Sequence, residues 1–118
     1  MAIGQYIIDE HGDVVPEPDL YKWGEWLQRR APVRVARTDL PNGITVSTIF
    51  LALDHGFSFT SANHVPLLFE TMAYDRTPAL MSFYDEQWRY PTWEAAAEGH
   101  LAAVEIFRRR YPRPRSLP

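Results

Sequence analysis

The chain has 118 residues, 46% of them hydrophobic and 14% aromatic, and it contains no cysteine. That is enough apolar material for a single core, which sets it apart from disordered chains, and the missing thiols exclude a disulfide scaffold, a thiolate zinc site and a cysteine nucleophile. The formal charge of −3 is unevenly spread: the final "RRRYPRPRSLP" carries five arginines and no acid, leaving seven basic against fifteen acidic side chains, a net −8, on residues 1–107.

An acidic body repels nucleic acid and attracts basic protein surfaces, so a protein partner is expected, with homo-oligomers allowed. The amino end, "MAIGQYIIDEHGD", lacks a basic segment followed by an apolar one, and no apolar run approaches the roughly 20 residues of a membrane span. The expectation is a cytoplasmic protein with no membrane contact and no cofactor.

In chain order, "QYIIDEHGDVVPEP" reads as a β segment turning at His11-Gly12-Asp13. "PDLYKWGEWLQRR" reads as a helix over 19–30: Asp19 suits the N-cap, Leu20, Trp23, Trp26 and Leu27 form an apolar stripe, and Arg29 and Arg30 suit the last turn. Gly24 inside it predicts close approach to a neighbouring element. Strands are expected at 33–39 and 44–54 around the turn "LPNG", then at 67–74 and 81–90. In the second of these, Ile44, Val46, Thr48 and Phe50 face one way, and Thr45, Ser47, Ile49, Leu51 and Leu53 the other. Both sets turn apolar toward Leu53, which marks a central strand. A closing helix over 92–110 starts at a Thr92 N-cap. The order β-α-β-β-β-β-α implies one α+β domain over 1–111: an antiparallel sheet of about four strands with helices on one or both faces. Pro112 and Pro114 set off residues 112–118 as a tail.

The closing helix carries two oddities, Gly99 and His100. Glycine in a helix interior costs roughly 1 kcal/mol relative to alanine, and packing explains it best: Ala95, Ala96, Ala97 and Gly99 let the helix approach the sheet closely. His100 falls on the stripe of Trp93, Val104 and Phe107, facing the core. Asp54 and His55 end an apolar strand, and Glu70 sits inside "PLLFETMAY", where a buried carboxylate needs a partner. Asp54, His55, Glu70 and His100 are therefore expected to converge near one end of the sheet, as a buried polar network, a ligand site or an acid–base site. Metal has the least support, because no His-x-His or His-x-x-x-His spacing preassembles a site, and nothing marks a nucleophile. The loop "GFSFTSANHVP" adds Phe57, Phe59 and His64, which either cover a pocket or contact a partner, or tuck into the core.

The segments "YIIDEHGDVVP", "VSTIFLALDHGF", "PLLFETM" and "YPTWEAAAEGH" together resemble a family of small proteins encoded by tailed phages and bacterial genomes. Its pattern runs Y-I-L-D-x-x-G, V-S-T-x-F-L-G-x-D-H, L-L-F-E-T-M and Y-x-T-W-E-E-A-x-x-G-H. Asp54, His55, Glu70, Thr71, Met72, Thr92, Trp93, Gly99 and His100 match it, while Ala52 stands where the pattern has glycine and Ala95 where it has glutamate. The resemblance brings no activity with it. It implies a phage or prophage accessory protein, and proteins of that kind bind a host or defence component. The expected function is binding of a host protein, as in an anti-CRISPR-like counter-defence inhibitor. The alternatives are a small-molecule-binding protein or small enzyme using Asp54, His55, Glu70 and His100, and a virion assembly protein.

Overall fold

A computed structural model describes residues 4–54, 64–76 and 82–112. Its elements are β1 (Tyr6–Ile8), β2 (Val14–Pro16), α1 (Leu20–Arg30), β3 (Val33–Asp39), β4 (Ile44–Phe50), β5 (Phe69–Asp75), β6 (Ser82–Tyr90) and α2 (Trp93–Arg110). β1 and β2 form an antiparallel hairpin, and β3-β4-β5-β6 form a four-stranded antiparallel sheet in chain order. The α+β class and the element order are as expected.

Local chemistry places the elements. Asp19 caps α1 by accepting from the Tyr21 and Lys22 amides, and Thr92 caps α2 by accepting from Ala95. Asn42 does two things at the β3–β4 turn. Its Oδ1 accepts from Ile44 N at 3.0 Å, and its Nδ2 donates to the carbonyls of Phe107 and Tyr111, satisfying backbone acceptors at the end of α2. Arg76 ties the same turn down from β5, with Nη1 donating to the Ile44 carbonyl at 2.8 Å and Nη2 to that of Leu40 at 2.7 Å.

The two-residue period of a strand then sorts the sheet into two faces. The inner face carries Val46, Thr48 and Phe50 of β4, Phe69, Thr71 and Ala73 of β5, and Tyr84, Trp88 and Tyr90 of β6. α2 lies across it, burying Ala96, His100, Ala103, Val104 and Phe107. At the Phe50–Phe69 end, Trp23, Trp26 and Leu27 of α1 close the same layer, with the Trp26 ring edge-on to Phe50 at 5.8 Å. The indoles are anchored by Trp23 Nε1 donating to Ala52 O and Trp26 Nε1 to Ile8 O, each at 3.0 Å.

Two expectations need correction. β4 ends at Phe50, not at residue 54, because Ala52 turns the backbone to φ 62 and breaks the alternation that Leu51 and Leu53 were expected to continue. That left-handed conformation favours glycine. Gly24 makes no close approach: among the described residues a methyl group added there would meet nothing of another element within 4 Å. Gly99, in contrast, is a close approach as expected. A Cβ there would stand 2.1 Å from the Tyr90 ring, so Gly99 makes room for an aromatic side chain of β6.

Candidate functional site

His100 points into the sheet. Its Nε2 lies 2.9 Å from Thr38 Oγ1 and its Nδ1 2.8 Å from Thr48 Oγ1, and Thr48 Oγ1 lies 2.5 Å from Thr71 Oγ1. One ring nitrogen donates and the other accepts, so the neutral imidazole is satisfied by hydroxyls from β3 and β4. Only 2% of His100 is exposed, and burial pushes its pKa below 6.5, keeping the ring uncharged at neutral pH.

Glu70 belongs to the other face. Its Oε2 accepts from Arg89 Nε at 2.9 Å across the β5–β6 ladder, where the two residues are directly paired. The carboxylate is 8% exposed and has the partner that its burial requires. The adjacent Thr71 faces His100, so Glu70, one residue earlier, points away from it.

Asp54 makes a third cluster. Its Oδ2 pairs with His64 Nε2 and its Oδ1 accepts from Leu67 N at 3.0 Å. The pair links the two described ends of the segment between residues 54 and 64. Tyr6 stands nearby, its hydroxyl pKa raised by burial first and by the Asp54 charge second. His64, expected as a loop contact, is thus drawn in against Asp54.

Among the described residues the expected convergence therefore does not occur. Asp54, Glu70 and His100 sit in three separate clusters: odd and even positions of β5 face opposite ways, and Asp54 lies beyond the end of β4, where its amide donates to Gly4 O. His55, Phe57 and Phe59 lie outside the described residues, as does the tail from residue 113. Among the described residues no three His, Cys, Asp or Glu side chains are grouped so as to hold a metal ion. No helix among the described residues is long and apolar enough to cross a membrane.

The feature that residue-by-residue reading missed is the outer face of the sheet, over which no described helix packs. Ser47, Ile49, Glu70, Met72, Tyr74 and Phe83 line a groove of about 130 Å³ there. Tyr74 and Phe83 are paired across β5 and β6 with ring centroids 5.7 Å apart, and Phe83 is 55% exposed. Three cross-strand rows run over this face: Arg34, Ile49, Glu70 and Arg89; then Arg37, Ser47, Met72 and Gln87; then Asp39, Thr45, Tyr74 and Phe83. Ile49, Met72 and Tyr74 lie in the middle of these rows, and arginines hold three of the six row ends. The signal in the sequence is the alternation "FETMAYD" against "SFYDEQWRY", in which both phases carry large side chains. The groove is well below the roughly 300–1,000 Å³ of a typical small-molecule site. It suits single side chains of a macromolecular partner.

Comparison with known proteins gives no match: no family model fits the chain, and no curated protein or solved structure is similar to it.

Proposed function

We propose that this protein works by binding another protein through the outer face of its four-stranded sheet. The observation that carries the reading is the aromatic and aliphatic strip of Ile49, Met72, Tyr74 and Phe83, left without a covering helix among the described residues and rimmed by Arg34, Arg37 and Arg89. Interfaces are built this way, with aromatic anchors and methionine at the centre and arginine among the enriched residue types. Both outer strands also bear register shifts, between Arg34 and Ala36 in β3 and opposite Met72–Tyr74 in β6. Bulges of this kind discourage edge-to-edge pairing, which favours docking on the face over strand addition.

With the family resemblance, the fuller reading is a phage-type accessory protein that binds a host factor in the cytoplasm, in the manner of a counter-defence inhibitor. The catalytic alternative has less support, since its residues stand in three clusters. The test is capture of host proteins by tagged wild type and by the double variant Tyr74→Ser/Phe83→Ser. The variant should keep the wild-type circular dichroism and lose the captured protein. An identical captured set from both would reject the outer face as the docking surface.

A further inference from the structure

The outer face is complementary to itself. In its first row, basic groups stand at both ends, Arg34 on β3 and Arg89 on β6. At the other end of the sheet the third row ends in Asp39 on β3 and in Phe83 on β6. The middle row, with Ser47 and Met72 at its centre, is neutral apart from Arg37, which its own Asp39 holds at 3.0 Å. A two-fold axis lying across the strands along this middle row therefore lays Arg34 over Asp39 of a second copy. It lays Arg89 over Phe83, a guanidinium against an exposed ring, and sets Met72 against its own counterpart. Glu70 then meets Tyr74, a carboxylate against a phenol that can donate to it. Arg34 has no ion pair within the chain among the described residues, so it is free to take Asp39 of the second copy.

We infer that the protein forms a face-to-face homodimer through this surface, two sheets packed as a sandwich with α2 of each copy on the outside. Aligned sheets pack about 10 Å apart, a gap that arginine and aromatic side chains span. The inference rests on the reading of the outer face as a docking surface, and it adds the occupant: a second copy of this chain. Size sets its strength. Four strands about 4.8 Å apart and seven residues at about 3.3 Å each give a face of roughly 350 Å² in projection. Stable complexes bury about 800 Å² per partner. The dimer is accordingly weak and exchanging, and the face stays available to a tighter partner that displaces the second copy.

Sedimentation equilibrium of the full chain tests this through Met72, the residue set against itself. Wild type should show a concentration-dependent dimer that weakens as salt is raised. Met72→Glu alone and Met72→Lys alone should each be monomeric, since each puts like charges across the axis. An equimolar mixture of the two should dimerise again. Arg34→Glu, at an exposed position that leaves the groove intact, should weaken association on the order of tenfold and covers the case in which a Met72 variant fails to fold. A wild type that stays monomeric up to about 1 mM overturns the inference. So does a dimer indifferent to Met72→Glu and Arg34→Glu, or a mixture of folded Met72 variants that remains monomeric. The two readings separate cleanly. A monomeric wild type whose captured protein is lost in Tyr74→Ser/Phe83→Ser leaves docking intact and removes the dimer. A Met72-dependent dimer with unchanged capture does the reverse.

Discussion

The two faces of the sheet are built from the same four strands and have opposite fates. On the inner face Thr48, Thr71 and Phe69 are fully buried under α2, and each polar group has a partner inside the chain. On the outer face Phe83 and the arginine rim keep contact with solvent, and Tyr74 and Met72 are half-buried. The lesson is that strand composition does not tell the faces apart here. Apolar side chains occupy both, and the difference comes from where a helix lands. The inner face is a folding surface, and no described helix covers the outer one.

Substitutions that break this contrast should scale with it. The largest effect is expected at Phe107, which meets Tyr84, Trp88 and Tyr111 with ring centroids 5.2–6.1 Å apart and is fully buried. Phe107→Ala should lose about 3–5 kcal/mol of stability in urea unfolding. Phe83→Ala, the same change on the outer face, should lose under about 1 kcal/mol. Similar losses at the two positions would mean that the faces are not energetically distinct.

His100 sharpens the comparison because its partners are hydroxyls. His100→Ala should cost about 2–4 kcal/mol, combining a cavity with hydroxyls left unsatisfied. Combined with Glu70→Gln, the losses should add within about 0.5 kcal/mol, since the two side chains are on opposite faces and share no partner. A larger interaction energy would contradict the separation seen here. The sign of the pH effect also follows. The folded pKa lies below 6.5, so the unfolded chain binds the proton first as pH falls. Wild-type stability should be complete above pH 6.5 and fall as pH drops through that value toward the lower folded pKa, by at most about 1.4 kcal/mol per pH unit. His100→Gln should remove this component, visible as a flatter dependence of the urea midpoint on pH.

Two smaller effects probe the backbone. Gly99→Ala should improve helix propensity by roughly 1 kcal/mol yet push the Tyr90 ring aside. Overpacking of that kind costs about 1–3 kcal/mol, so a net loss in melting temperature is expected. Ala52→Gly should act the other way, raising stability by up to about 1 kcal/mol as the positive φ is relieved, partly offset by greater freedom in the unfolded chain. A destabilised Ala52→Gly protein would show that the buried methyl group matters more than the backbone strain.

Much of the fold was legible because it rests on local rules. The caps at Asp19 and Thr92, the Asn-Gly turn at 42–43, the apolar stripe of α2 and the alternation of β4 are each written in a few consecutive residues, and the observed elements follow them closely. Even the roles of Gly99 and His100 as core-facing residues of α2 follow from helical spacing. What spacing does not contain is the choice of partner across elements. Glu70 and His100 both sit in apolar surroundings, and only the register of β5 against its neighbours places one with Arg89 and the other with Thr38 and Thr48. Likewise the helical period of α2 shows that it has a buried face, yet not which side of the sheet receives it. That decision belongs to tertiary structure, because it depends on the turn at Asn42 and on the packing of Phe107 and the small residues of α2, contacts between positions up to 69 residues apart. The uncovered outer face is a consequence of that decision.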